Sequence, residues 1–203
     1  MSAENAAGPE GFDPARIRCI HPAQAGGIET SVLDDGPGRG VRIAWVNTGS
    51  PLRYKVLIDR GLDIAEAFHG GRSLAFLSLT GPAAPSRGLD RGLDWLRGFY
   101  GGLVCSCGPE HIGAPIEEDG IEYGLHGRHS NTPAAVEAVR QPDPAAETDE
   151  MSITGLVRNA RMFGPNVELR RTIRSILGRP ELHIRDRFVN RGNEPARHAW
   201  LLH

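Results

Sequence analysis

The chain has 203 residues, 39% hydrophobic and 24% charged, with a formal net charge of -2; this is ordinary globular composition with material for one sizeable core. A balance this close to neutral supplies no field for nucleic acid or an anionic membrane surface. Lys55 is the only lysine, which disfavours Schiff-base chemistry, and three cysteines do not make a disulfide framework.

Residues 1–15 are rich in Ala, Gly, Pro and acidic groups, so a disordered tail is expected there, followed by one domain over 16–203. The opening lacks the basic and apolar regions of a signal peptide, and no apolar run nears the roughly 18 residues of a membrane span. A cytoplasmic protein is therefore expected. Val41, Ile43 and Trp45 alternate with Arg42 and Ala44, the pattern of a half-buried strand. Val56 with Ile58, and Ile64, Glu66 and Phe68 against Ala65 and Ala67, continue it. Gly70-Gly71 predicts a hairpin into Leu74–Leu77.

Between Thr80 and Gly102 the periodicity fails at Gly81, Pro82 and Pro85, and the spacing of Trp95, Leu96, Phe99 and Tyr100 predicts one short helix. These aromatics read first as a plug over the end of a β core and second as a sugar-stacking platform. Five strands then follow, at Ala135–Val139, Ser152–Val157, Val167–Ile176, Leu182–Val189 and Ala196–His203. The turns between them, such as Gly164-Pro165-Asn166 and Gly178-Arg179-Pro180, are short and no helical pattern intervenes. The fold class expected is all-β, an antiparallel sandwich. Because Trp200-Leu201-Leu202-His203 reads as a strand in progress, further strands of the same domain are expected beyond it.

Chemistry concentrates between Gly101 and Asn131, which holds His111, His126, His129, Cys105, Cys107, Arg128 and the carboxylates Glu110, Glu117, Glu118, Asp119 and Glu122. A metal site could draw on His111, His126, His129 and His203 with Glu110 or a cysteine, but the spacings form no recognised pair-and-pair signature. The cysteines read as small buried strand residues. No Gly-x-Ser-x-Gly elbow and no phosphate-cradling strand-loop-helix is present. Acid-base work by histidine on a polar substrate remains, because imidazole titrates near working pH.

Two segments, Tyr123-Gly124-Leu125-His126-Gly127-Arg128 and the strand ending at His203, resemble the two histidine positions of the aldose 1-epimerase (galactose mutarotase) superfamily. Asp59-Arg60-Gly61-Leu62-Asp63-Ile64, Trp95 with Phe99, Cys107-Gly108, Ser130-Asn131 and Arg171-Thr172-Ile173-Arg174 add a resemblance to an uncharacterised bacterial branch of it. What the resemblance implies is a galactose-mutarotase-like β-supersandwich with a monosaccharide or sugar-acid substrate on its concave face. It implies no cofactor and no metal, while the near-neutral charge and the lack of a long apolar run lead to no expected nucleic-acid or membrane partner. His203 matches the acid that protonates the ring oxygen and His126 the histidine that supports it. The superfamily's glutamate base has no match in this sequence. Trp95 and Arg128 are expected at the substrate, Arg60 and Asp63 either there or in a structural ion pair, and His111 and His129 in solvated loops. Two alternatives stand beside this reading: a non-catalytic carbohydrate-binding module, and a metal-dependent sugar isomerase or lyase built on the histidine cluster.

Overall fold

The structure, a computed structural model, describes residues 21–143 and 146–203; the tail expected at 1–15 lies outside them. Five strands form an antiparallel sheet in sequential order: β1 (Gly27–Val32), β2 (Arg42–Asn47), β3 (Leu52–Leu57), β4 (Asp63–His69) and β5 (Arg72–Ser73). A long irregular segment follows with β6 (Phe76–Leu77), β7 (Gly101–Gly102), β8 (Ser106–Cys107), β9 (Ile116–Glu118) and β10 (Ile121–Tyr123). The second large sheet is the meander β11 (Ala134–Arg140), β12 (Glu150–Ala160), β13 (Asn166–Ile176) and β14 (His183–Asn190), and β15 (Leu201–Leu202) ends the chain. Among the described residues no helix is long and apolar enough to cross a membrane.

The two large sheets face each other across one core. Ile28, Ala44, Val46, Tyr54, Val56 and Ile64 from the first meet Met151, Ile153, Val157, Leu169 and Ile173 from the second. Along β13 the burial alternates strictly, with Leu169, Arg171, Ile173 and Ser175 inward and Arg170 and Arg174 outward, as a period of two requires. The outer face of this sheet stays wet and carries ion pairs such as Arg170 with Glu137 and Arg158 with Glu168, which contribute little because they are solvated.

The first sheet departs from expectation. Val41, Ile43, Leu57 and Ala65 pack in a second core with Trp95, Tyr100, Cys105 and Cys107, so β2 is covered on both faces and is not half-buried. Its alternation still exists, but it sorts residues between two cores. Lys55, on a bulge between the Tyr54–Ala67 and Val56–Ile64 pairs, is spent in an ion pair with Glu66 and lies over the Trp45 ring.

Two expected strands are also redrawn. Gly70-Gly71 does turn a hairpin, but its return strand is Arg72–Ser73, and Phe76–Leu77 leaves to pair with Gly101–Gly102. The segment expected at Ala196–His203 is a strand only at Leu201–Leu202, and it pairs with Ser106–Cys107 and not with the meander. Between Thr80 and Gly102 the single expected helix is a pair of short 3-10 turns, Arg87–Asp90 and Asp94–Gly98.

Candidate active site

The crossing of β15 to β8 brings two distant histidines together. His203 is held by reciprocal backbone bonds with Cys105, N–H to carbonyl at 2.9 Å and 3.2 Å. His126 sits in a loop whose backbone is fixed from three sides: its N–H donates to Gly113 O at 3.0 Å, its carbonyl accepts from Gly108 N at 2.9 Å, and Leu125 N donates to Gly92 O. His126 itself has φ of +58°, a left-handed conformation that a non-glycine residue holds only when its surroundings dictate it. The following residue must be glycine: Gly127 has φ of +72°, and a Cβ there would lie 2.7 Å from His111 O and 2.8 Å from Gly108 O.

The two rings meet edge to face, with centroids 4.8 Å apart and Nε2 atoms 3.3 Å apart. Gly113 N–H donates to His126 Nδ1, so the neutral ring carries its proton on Nε2 and offers it to His203 Nε2. Burial, then the neighbouring His203 and His111, pull the His126 pKa down from 6.5, which favours its neutral form. Behind the pair stand Trp95, stacked on Phe99 at 4.7 Å and edge-on to His126 at 4.8 Å, with Phe99 5.6 Å from the His203 ring. His203 is exposed while Trp95 is 5% exposed. The aromatics are therefore a rigid wall, with Trp95 Nε1 anchored on Ser130 Oγ at 3.0 Å, and Trp95 presents no open face for a sugar to stack on. A cavity of about 850 Å³ lies elsewhere, lined by His21, Gly27, Trp45 and Asp143, and contains neither histidine.

A family model matches residues 38–203. The chain belongs to that family, described as Domain of unknown function (DUF4432). Among solved structures it is similar to a "putative aldose 1-epimerase" from Klebsiella pneumoniae subsp. pneumoniae, at 26% identity and a TM-score of 0.72, covering 83% of this chain and 44% of that one. It is also similar to the Slr1438 protein from Synechocystis sp., at 17% identity and a TM-score of 0.56, over 78% and 52% of the two chains. The DUF4432 chain thus spans about half the length of both. Its fold is the galactose-mutarotase-like antiparallel β-sandwich. No curated protein matches it.

The remaining expected site residues of this DUF4432 chain fall in different places. Arg60 and Asp63 are 2% and 0% exposed, which corrects the expectation that they line a pocket or pair with each other. Arg60 donates to the carbonyls of Ser130, Ala83 and Gly98 at 2.5, 2.8 and 2.9 Å and lies over the Tyr100 ring, so it locks the irregular segment together. Asp63 accepts from Ser106 N at 2.8 Å, Ser106 Oγ at 2.5 Å, Tyr100 OH at 3.1 Å and Arg171 Nη1 at 2.6 Å. Burial pushes its carboxyl up, and Arg171 and Ser106 hold it back. Arg171 continues to Asp186 through a two-pronged contact at 2.8 and 2.7 Å.

Arg128 stays partly exposed, 3.8 Å from Glu110, and borders a small polar cleft with Asp90, His111 and Tyr123. His129 is not a solvated loop residue: it is 0% exposed, bonded to Gly61 O and Asn159 Nδ2, and burial, aided by Arg171, drives its pKa down to about 3. His111 remains at the rim, with Nε2 2.8 Å from Ala114 O. Cys105 and Cys107 are buried as expected, at 1% and 0%. Sequence reasoning left open which cysteine, if any, joins the histidines; it is Cys107 that lies beside both His126 and His203. For Arg171 a signal existed, since it shares the inward parity of Leu169 and Ile173 and so needed a buried acid; for Cys107 no local signal existed.

Proposed function

We propose that this protein processes carbohydrate, interconverting the anomers of a monosaccharide or sugar acid by histidine acid-base ring opening without a cofactor. The observation that carries the reading is the His126–His203 pair, with ring nitrogens 3.3 Å apart against an aromatic wall. The likeness at 26% identity to a putative aldose 1-epimerase supports the same substrate class. His203, exposed at the mouth, gives a proton to the ring oxygen as the bond from that oxygen to the anomeric carbon breaks. The anomeric hydroxyl loses its proton at the same time, leaving an open-chain aldehyde. Rotation about the bond from the carbonyl carbon to its neighbour and reversal of the steps yields the other anomer. His126, kept neutral by its surroundings, orients His203. The half-reaction at the anomeric hydroxyl needs a base, the role that a glutamate fills in the resembled superfamily. Arg128 stands at the rim, where a guanidinium suits a substrate hydroxyl or carboxylate.

The test is anomer exchange measured by NMR on the intact protein, across a panel of aldoses and uronic acids. Exchange above the buffer rate is expected for at least one sugar, falling by about 10²-fold or more in His126→Ala and in His203→Ala. Buffer-level exchange throughout, or full activity in His126→Ala, would sink the proposal. The alternative, a non-catalytic carbohydrate-binding module, predicts saturable sugar binding with no exchange.

A further inference from the structure

Cys107 is a nucleophilic group in the candidate site for which ring opening has no use. Its Sγ and one nitrogen each of His126 and His203 all lie within 4.8 Å of one another, and the two histidine Nε2 atoms are 3.3 Å apart. A tetrahedral ion with metal–nitrogen bonds of about 2.0–2.1 Å and a metal–sulfur bond of about 2.3 Å sets a nitrogen–nitrogen edge of about 3.3–3.4 Å and nitrogen–sulfur edges of about 3.5 Å. The first edge already exists. The other two, at most 4.8 Å, close with a shift of up to about 1.3 Å, within the reach of side-chain rotation.

The three groups also come from backbone that is tied together at this spot. Cys107 pairs with Leu201 across β8 and β15, Cys105 exchanges backbone bonds with His203, and Gly108 N donates to the carbonyl of His126. A ligand set held by ladder hydrogen bonds is more precise than one on free loops.

We propose that Cys107, His126 and His203 bind one divalent cation of the zinc class. Two imidazoles and a thiolate suit borderline-soft ions and not magnesium or calcium. Three protein ligands with His203 exposed leave the fourth position to water or a sugar hydroxyl. Binding releases the thiol proton to solvent. It also occupies the nitrogen lone pairs that ring opening needs, so metal and proton transfer exclude each other at this site. Capture through His126 Nε2 moves that ring's proton to Nδ1 and gives up the Gly113 N–H contact, which at 3.3 Å is at the long end of its range. His129, one of the candidate ligands in the sequence, takes no part, because its ring is committed to Gly61 and Asn159.

The test is cobalt titration of the metal-free intact protein in a Cys19→Ser background. One Co²⁺ per chain is expected, with a near-ultraviolet thiolate charge-transfer band and visible bands of tetrahedral cobalt. Cys107→Ser should lose the charge-transfer band, and both it and the surface-exposed His203→Ala should weaken binding by about tenfold or more. Cobalt bound without a thiolate band, or with the same affinity in either variant, overturns the proposal, as does no binding at all. The proposal rests on the same residues as the sugar reading, but the two fail separately: anomer exchange by the metal-free protein tests the one and cobalt spectra test the other. Where both hold, added Zn²⁺ abolishes exchange.

Discussion

Replacing Asp63 tests whether the scaffold beneath the histidine pair is held by one buried charge. Asp63 and Arg171 are both fully buried and 2.6 Å apart, and removal of one partner from such a pair typically costs about 3–5 kcal/mol. Arg171 would keep Asp186, which tempers the loss. Against that, Ser106 N–H, Ser106 Oγ and Tyr100 OH would each lose the acceptor they share, at about 1–3 kcal/mol for each donor left unsatisfied. The expected cost of Asp63→Ala is therefore about 3–5 kcal/mol, a large part of the 5–15 kcal/mol that typically separates folded from unfolded. Urea unfolding followed by tryptophan fluorescence measures it through the midpoint at constant slope. Because Ser106 pairs with Leu202, next to His203, the variant should also shift the His203 ring resonances before any global unfolding. A loss below about 1 kcal/mol with unmoved His203 signals would refute the reasoning, since a buried arginine deprived of one carboxylate, with three donors losing their acceptor, cannot be that cheap.

His129 makes stability depend on pH. The unfolded ring binds a proton below pH 6.5 while the native ring is held down to about 3, so stability is complete above 6.5 and falls toward 3, by about 1.4 kcal/mol per pH unit. Urea unfolding at pH 7 and 5.5 should show that loss, and His129→Gln should flatten it by about one proton; equal slopes would rule the assignment out. Gly127→Ala forces a Cβ into the carbonyls of His111 and Gly108 at φ of +72°. It should cost about 1–2 kcal/mol from the backbone alone and raise the His126 pKa toward its free value by releasing the ring, read by NMR titration; an unchanged His126 titration would count against a fixed loop. Burial holds the Cys107 thiol up to about 12 and pushes Cys105 up as well. Iodoacetamide at pH 8 should therefore leave both unmodified in the native protein and label both in urea, as counted by mass spectrometry. Native labelling of Cys107 at a free-thiol rate would contradict its burial.

The parts of this protein legible in the sequence are those where short-range rules act alone. β13 alternates throughout, and β12 from Ile153 onward, because one face of their sheet meets solvent and the other the core, and turn residues mark their ends. β2 misleads because the segment carrying Trp95, Tyr100 and Cys105 lies on its second face, so an alternation that looks like inside against outside is inside against inside. Leu74–Leu77 has the hydrophobicity of a return strand, yet apolar content does not name a partner, and Phe76–Leu77 pairs with the distant Gly101–Gly102. The fate of Arg60 and Asp63 was open in the same way: a charged residue at a strand corner serves a ligand or the core depending on what surrounds it.

By itself the sequence determined the all-β class and the meander, because dihedral preference and period-two alternation act within a few residues of each other, and its resemblance to the aldose 1-epimerase superfamily pointed to the two histidines worth joining. Only the tertiary structure decided which groups share a site. Asp63 finds Arg171 from 108 residues away and His126 finds His203 from 77. Burial, hydrogen-bond partnership and the approach of Cys107 to that pair depend on how whole sheets close, and no local stretch of chain encodes them.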